Sequence, residues 1–292
     1  IEGAMSVRNR QTVNPEKLKA DMEKIKALYD GKGYYNAEVR YSIEKVGVRD
    51  VAVVVDIAEH EKLFIRNIVF EGNRSFTTKE LKNMMSTTEW GIFHFLTDSG
   101  VLKKDQMKQD VGKINAFYLN NGFINAQVGE PEISHDRQGI TVKIPISEGK
   151  QFRVGEVAIA GDELSTPRAE LLNKLQIKKK DFYDRDAIMK DMDYLAQVAN
   201  DEGYANTDVS PRTVPQEKTQ AVDVTYVITK KQLVYFNRIN ITGNTKTRDK
   251  VIRRELSVVE GDLYSRTKLK NSYMALNKLR YFDEIDFQAE KG

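Results

Sequence analysis

The nine residues GKGYYNAEV, at positions 31–39, return in altered form as NNGFINAQV at 120–128 and as DEGYANTDV at 201–209. Their shared glycines, Gly33, Gly122 and Gly203, are 89 and 81 residues apart. An apolar stripe with offsets 0, 4, 7 and 10 precedes each copy and occurs a fourth time, a spacing that gives an α-helix one apolar face. The stripes are Leu18, Met22, Ile25 and Leu28; Met107, Val111, Ile114 and Phe117; Ile188, Met192, Leu195 and Val198; Leu269, Tyr273, Leu276 and Leu279. The chain is therefore predicted to contain four related modules.

The glycine that follows each helical stripe invites two interpretations. A dinucleotide-binding loop needs Gly-x-Gly-x-x-Gly after a strand and before a helix. Here Asn36 stands at the sixth position of the motif that begins at Gly31, and the helical pattern comes before the glycines. A glycine just past the last helical turn adopts the left-handed conformation without steric cost. We therefore predict that Gly33, Gly122 and Gly203 end helices and bind no phosphate.

A second repeated element marks the first strand of a module. The segments IRNIVFEGN at 65–73, VGEVAIAGD at 154–162 and NRINITGNT at 237–245 each place two alternating apolar residues before a glycine, which predicts a strand with one buried face. A short helix follows, then the long helix, then two more strand patterns. The predicted fold class is α+β: tandem β-α-α-β-β modules, each a three-stranded mixed sheet packed on two helices.

This order of elements, with the strand ends FEGN and ITGN and the closing LNKLRYFDEIDF at 276–287, resembles POTRA (polypeptide-transport-associated) modules of BamA-type outer-membrane assembly factors. The resemblance divides the chain into a partial module at 1–61, complete modules at 62–149 and 150–232, and a partial module at 233–292. The first module starts at its long helix, and residues 1–6 look like a cloning remnant. The fourth module stops before its third strand.

Composition argues against several other classes of protein. Lys plus Arg is 46 and Asp plus Glu is 43, so the net charge of +3 gives no strong attraction to nucleic acid or an anionic membrane. The sequence has no cysteine, and its histidines are far apart, at His60, His94 and His135. No apolar run is long enough to span a membrane as a helix. We predict no catalytic site, no cofactor, no metal site and no nucleic-acid partner.

An exposed sheet edge is the predicted binding element, because its unpaired backbone groups can pair with an extended chain of almost any sequence. Pro131 and Pro211 indicate that the second strand of a module lies at an edge. Pro145 in a third strand does not fit this picture unless a bulge lies there. The resemblance implies that unfolded outer-membrane β-barrel proteins bind by strand addition. The residues predicted for this role are Val39, Tyr41, Ile43, Val128 and Ile133.

The resemblance also implies a docking site for accessory outer-membrane lipoproteins, at Arg253, Arg254 and Glu255 on the short helix of the last module. An extra stretch in the second module, WGIFHFL at 90–96, contains the only tryptophan. Its residues Trp90, Phe93 and Phe95 either cover their own module or form a contact surface.

Taken together, these residues resemble a non-enzymatic periplasmic scaffold whose membrane β-barrel lies in the rest of the parent chain. Two alternatives stay open at this point. One is a POTRA array of a two-partner secretion pore, and the other is an RNA-binding repeat protein. The latter lacks the Gly-x-x-Gly loop that KH domains use to clamp RNA.

Overall fold

The structure, a computed structural model, describes residues 5–6, 14–47, 50–60, 62–91, 100–136 and 138–288. In the first module the long helix α1 (Pro15–Gly31) begins where the side chain of Asn14 accepts hydrogen bonds from the amides of Glu16 and Lys17. Strands β1 (Glu38–Lys45) and β2 (Val51–Ala58) form an antiparallel hairpin after it. The stripe residues Leu18, Met22 and Ile25 are buried, while Leu28 is exposed.

The second module contains all the predicted elements. They are β3 (Ile65–Glu71), α2 (Thr78–Met84), α3 (Lys104–Leu119), β4 (Gln127–Val128), β5 (Glu132–Asp136) and β6 (Gly139–Ser147). Strand β6 lies in the middle of the sheet, parallel to β3 on one side and antiparallel to β4 and β5 on the other. Thr77 and Glu80 form the capping box expected at the start of α2.

The third module repeats this arrangement with β7 (Arg153–Gly161), α4 (Arg168–Lys174), α5 (Arg185–Asp201), β8 (Asp208–Gln216) and β9 (Ala221–Thr229). Its sheet order is β7-β9-β8, again with the third strand in the middle. The fourth module has helices α6 (Asp249–Glu255) and α7 (Arg266–Leu279). The chain forms two compact units, Ile1–Tyr118 with Asn125–Gly149, and Leu119–Ile124 with Lys150–Gly292.

The predicted α+β class is confirmed, and so is the position of the second strand at a sheet edge. Pro145 is tolerated in the central strand β6 because its neighbour is interrupted between β4 and β5. In that gap the amide of Gly129 donates to the carbonyl of Pro145 at 2.8 Å. A side chain at position 129 would come within 2.8 Å of the Pro145 ring. The irregularity therefore lies in the second strand, opposite the proline.

The helix-exit glycines have the predicted left-handed conformation, with φ of 95° at Gly33, 87° at Gly122 and 99° at Gly203. Each one also contacts the start of the module that follows. The carbonyls of Gly33, Gly122 and Gly203 accept hydrogen bonds from the amides of Leu63, Phe152 and Val234. The opening motif thus ends a helix and joins its loop to the next stretch of chain through the backbone.

A buried polar residue on each long helix was not predicted from the sequence. It lies three residues after the start of each apolar stripe, as Asp21, Asp110, Asp191 and Ser272, all at most 1% exposed. Asp110 accepts hydrogen bonds from the amides of Ser86 and Thr87 at 2.8 Å each, in the turn after α2. Asp191 accepts from Gln176 and Ile177 in the matching turn. The buried side chain of the long helix therefore accepts hydrogen bonds from backbone amides in the turn that follows the short helix.

The first module contains the same contact. The amide and hydroxyl of Ser6 both donate to Asp21 at 2.8 Å, as the amide of Ser257 donates to the hydroxyl of Ser272. Ser6 precedes Leu18 by the same 12 residues that separate Ser257 from Leu269. Ser6 thus takes the place in the first module that Ser257 takes in the fourth, and the interpretation of residues 1–6 stays a prediction.

Asp110 gives the second module a testable pH dependence. Burial raises the pKa of its carboxyl, but the hydrogen bonds from Ser86, Lys113 and Thr87 outweigh burial and hold the pKa below its usual value. A lowered pKa adds stability above the unfolded value of about 4, and this stability is lost as pH falls through the folded value. We expect D110N to cost about 2–3 kcal/mol at pH 7, because the amide cannot accept from both backbone donors.

Urea denaturation between pH 7 and pH 3, followed by hydrogen exchange of peptides from the second module, measures this effect. The loss of stability toward pH 3 should be smaller in D110N than in the natural chain. A difference between the two chains that stays the same at every pH would contradict the role given to the Asp110 charge.

The fourth module differs from the expectation. Residues 237–245 were predicted to form a first strand through Ile239 and Ile241, and a second strand was predicted after Tyr281 and Phe282. Among the described residues, neither segment pairs in a ladder. An isolated bridge joins Tyr235 to Leu263. In the second and third modules the central strand is the partner of both outer strands, and the described part of the fourth module has no such strand. Apolar alternation alone does not make a strand when its partner is missing.

Candidate functional site

The outer edge of β1 is the clearest free edge of the second strands. Among the described strands β1 pairs with β2 alone, from Glu38 opposite Ala58 to Lys45 opposite Val51. The three predicted residues alternate along it: Val39 is partly buried, Tyr41 is 36% exposed and Ile43 is 46% exposed. Eight residues without proline therefore offer both backbone groups and apolar side chains to an added strand.

The matching edge of the second module is interrupted. The predicted residues Val128 and Ile133 lie on separate strands, β4 and β5, with Val128 opposite Ile146 and Ile133 opposite Val142. Ile133 is 44% exposed, whereas Val128 is partly buried. The expectation of one continuous second strand was wrong here, because the strand breaks opposite Pro145. An added strand could therefore pair with at most the five consecutive residues of β5.

The matching edge of the third module is continuous but poor in donors. Strand β8 has nine residues and pairs along its whole length with β9. Pro211 and Pro215 both lie on it, and a proline in a paired strand is accommodated where its missing amide would face outward. The outer edge of β8 therefore lacks two donors. Of the three second strands, β1 is the most suitable for strand addition.

The opposite edge of the sheet, along the first strand, is covered by side chains and loop backbone. In the second module the carboxylate of Glu89 accepts from the amide of Ile68 at 2.8 Å and forms an ion pair with Lys82 at 2.8 Å. The amide of Ile65 donates a hydrogen bond to the carbonyl of Gly100, and the carbonyl of Ile65 accepts one from the amide of Trp90. An added strand cannot use these backbone groups without displacing their partners.

The fourth module covers the same edge with two charged residues. Glu260 accepts from the amide of Ile239 at 2.9 Å, and the guanidinium of Arg253 donates to the carbonyl of Ile239 at 2.7 Å. Glu89 and Glu260 each follow their strand-end glycine, Gly72 or Gly243, by 17 residues. Sequence reasoning missed these two glutamates, although their equal spacing was a usable signal.

The predicted docking residues of α6 have different roles. Arg253 forms ion pairs with Asp249 at 2.6 Å and Glu260 at 3.4 Å, so it is used within its own module. Arg254 and Glu255 form an ion pair with each other at 3.1 Å, and their side chains are 72% and 27% exposed. Of the three predicted residues, Arg253 is thus the one that its own module already uses, and docking at α6 stays a prediction.

Of the inserted stretch at 90–96, the structure describes Trp90 and Gly91. Trp90 is held by its own module: the guanidinium of Arg66 stacks on its ring at 4.1 Å, and the ring of Phe64 lies 6.4 Å away. Phe93 and Phe95 lie outside the described residues. Trp90 therefore contacts its own module, and the role predicted for Phe93 and Phe95 stays a prediction.

Within the described ranges, no group of three or more His, Cys, Asp or Glu side chains is placed to hold a metal ion. The helices of those ranges are all too short or too polar to cross a bilayer.

Comparison with known proteins identifies the family. The family model for POTRA, the surface antigen variable number repeat, matches residues 1–60, 63–149, 152–231 and 234–292. The chain belongs to the POTRA family. The resemblance noted in the sequence is thereby confirmed.

Curated relatives of this POTRA chain include two proteins named outer membrane protein assembly factor BamA. The protein of Nitratidesulfovibrio vulgaris is 33% identical over 290 residues, which is 98% of this chain and 37% of the relative. The protein of Neisseria meningitidis serogroup B is 34% identical over 281 residues, which is 96% of this chain and 35% of the relative. The chain thus spans little more than a third of the length of these relatives.

A solved structure supports the fold of the POTRA modules. The crystal structure of Haemophilus influenzae BamA POTRA3-5 matches with a TM-score of 0.60 at 21% identity, covering 77% of this chain and 88% of that one. At this level of identity the match concerns the fold alone.

Proposed function

We propose that this POTRA chain is the periplasmic scaffold of an outer-membrane protein assembly factor. Each of the two named relatives is an assembly factor that matches the chain over almost its whole length. Its clients are unfolded outer-membrane β-barrel proteins, and its partners are accessory outer-membrane lipoproteins and the β-barrel of the parent chain. We assign it no catalytic role. The match to named assembly factors favours this function over a two-partner secretion pore, and the family match leaves RNA binding unsupported.

The observation that carries client binding is the outer edge of β1. An extended client segment pairs with the backbone of β1, while Tyr41 and Ile43 provide apolar contacts beside it. Backbone pairing tolerates many client sequences, which suits a scaffold that serves many β-barrel proteins. The first-strand edges of the second and fourth modules are less suitable, because Glu89, Glu260 and Arg253 already bind backbone groups there.

A proline at Tyr41 tests this edge. Counted from the helix-exit glycine, Tyr41 corresponds to Pro211 in β8, so a proline at this place is compatible with the pairing inside the sheet. We expect Y41P to weaken binding of an extended outer-membrane β-barrel peptide at least about tenfold, because the outer edge loses a donor and gains a ring. Fluorescence anisotropy of the labelled peptide measures the change.

The matched control is Y41A, which removes the same side chain but keeps the amide. It should bind within a few-fold of the natural chain. Equal loss in Y41P and Y41A would assign the affinity to the tyrosine ring, and strand addition at β1 would then be wrong.

A further inference from the structure

The third module lacks the glutamate that covers the first-strand edge of its two neighbours, where Glu89 or Glu260 binds a strand amide. These glutamates stand three positions after the turn amide that the long helix binds. In the three modules that turn amide belongs to Ser86, Gln176 and Ser257. The same count in the third module reaches Lys179. An ammonium group donates hydrogen bonds but accepts none, so Lys179 cannot bind a strand amide.

The basic partner of this glutamate is also replaced. Lys82 forms an ion pair with Glu89, and Arg253 forms one with Glu260. Both basic residues stand four positions before the turn amide, and the third module has Leu172 at that place. Leu172 is partly buried and packs against the core of its module. The third module therefore has a leucine and a lysine where its neighbours have a charge pair that covers the edge.

The outer edge of β7 is bound at its two ends. Near the start of the strand, the amide of Val154 donates to the carbonyl of Asp181 at 3.2 Å. At the end of the strand, the guanidinium of Arg168 donates to the carbonyl of Gly161 at 2.7 Å. An added strand can therefore reach only the residues between these two contacts.

Val157 and Ile159 direct backbone groups outward along this open stretch. Val157 stands four positions before its strand-end glycine, as Ile68 does in the second module, where the amide faces outward to Glu89. Residues two apart in a strand have the same orientation, so the groups of Ile159 point the same way. In the third module, all of which the structure describes, no side chain or loop group outside the sheet binds the amide of Val157.

Two cationic side chains lie beside this stretch. The 3₁₀ turn Ile177–Lys179 contacts β7, and both Lys178 and Lys179 are exposed. Within the described ranges these two lysines form no ion pair, whereas the adjacent Lys180 is paired with Asp184 at 2.8 Å. An unbound strand amide and an unpaired ammonium group are complementary to a carboxylate, because hydrogen bonds to a charged acceptor are the stronger ones.

We propose that the outer edge of β7 binds a short extended acidic segment of a partner protein. A carboxylate of that segment accepts from the amide of Val157 and pairs with Lys179. The partner thus supplies the group that Glu89 supplies within the second module. An apolar neighbour of the acidic residue contacts Leu172, and the backbone of the segment pairs with Val157 and Ile159.

This site is separate from the β1 edge and has a different selectivity. An added strand at β1 can pair along eight residues and needs no particular side chain. At β7 the open stretch is short, so the affinity depends on one carboxylate. The proposal does not rest on client binding at β1.

The experiment measures fluorescence anisotropy of a labelled peptide TVEVTG with the 292-residue chain. The reference chain carries Y41P, so that pairing at β1 contributes little. K179E places the covering carboxylate on the chain itself, and its matched control K178E makes the same charge change one residue away. We expect K179E to weaken binding at least about tenfold and K178E to weaken it no more than about threefold. The peptide TVQVTG should bind several-fold more weakly than TVEVTG, because its acceptor is uncharged.

Hydrogen exchange without peptide gives a second measurement. In K179E the new carboxylate should protect the amide of Val157, as Glu89 protects that of Ile68, so exchange should slow in peptides that cover Arg153–Gly161. K178E should not slow it. Both lysines are exposed, so both variants should fold, which circular dichroism checks.

Four results would each overturn the proposal. They are no binding of TVEVTG to the reference chain, equal weakening by K178E and K179E, equal binding of TVQVTG, and unchanged exchange at Val157 in K179E. Equal weakening by the two variants would show a diffuse attraction to the lysines. K179E on the natural background should leave client binding at β1 unchanged, so failure at one site can be told from failure at the other.

Discussion

Replacement of Gly161 by alanine is expected to cost the third module about 2–5 kcal/mol. The left-handed φ of 85° at this position costs a residue with a Cβ atom roughly 1–2 kcal/mol. The new Cβ atom would also lie 2.1 Å from the carbonyl oxygen of Ile228, so the central strand β9 must move away from β7. Forced displacement in a packed core adds about 1–3 kcal/mol.

The fourth module provides a matched control for this glycine. Gly243 stands at the same place in its module and has φ of 80°, but no described residue comes within 4 Å of its Cβ position. G243A should therefore cost only the roughly 1–2 kcal/mol of the backbone conformation. Urea denaturation with hydrogen exchange of peptides from β7 and β9 measures the loss in the third module. If G161A and G243A cost the same, close packing against β9 is not what requires the glycine.

Reversal of Glu255 to lysine is expected to abolish capture of accessory lipoproteins by this chain. Glu255 lies on α6 beside Arg254, and the two side chains neutralise each other at 3.1 Å. The reversal puts two positive charges side by side on the presented face of the helix. A like charge in an interface costs several kcal/mol, which corresponds to about two or more orders of magnitude in affinity. Surface-plasmon measurements with the purified lipoproteins of the organism's own assembly machine would detect this loss.

Stability should not change in the same variant. The Arg254 to Glu255 pair lies at the surface, with Arg254 72% exposed, and surface pairs contribute about 0–1 kcal/mol. The matched control is E284K, which makes the same change of charge at another exposed residue of the fourth module. We expect E284K to keep full capture. If E255K captured the lipoproteins as strongly as the natural chain does, the docking site would not lie on α6. The POTRA assignment would be unaffected.

The β1 edge shows which part of the candidate site could be predicted from the sequence. The alternation of Val39, Tyr41 and Ile43 predicted one face of a strand, and the structure places these residues on β1. The same reasoning joined Val128 and Ile133 into one strand, which was wrong. The break between them depends on Pro145, which is remote in sequence and adjacent only across the sheet. A pattern confined to one segment does not contain that contact.

The sequence by itself determined the repeat, the helix faces, the helix-exit glycines and the order of elements. These features depend on residues a few positions apart, where helical periodicity and backbone preference act directly. Tertiary structure alone decided which edges are free, because Glu89 and Glu260 reach strand backbone 21 residues away in sequence. It also decided that residues 237–245 stay unpaired despite their strand pattern. A strand exists only with its hydrogen-bonding neighbour, and in the second and third modules that neighbour is the third strand, which comes last in the module.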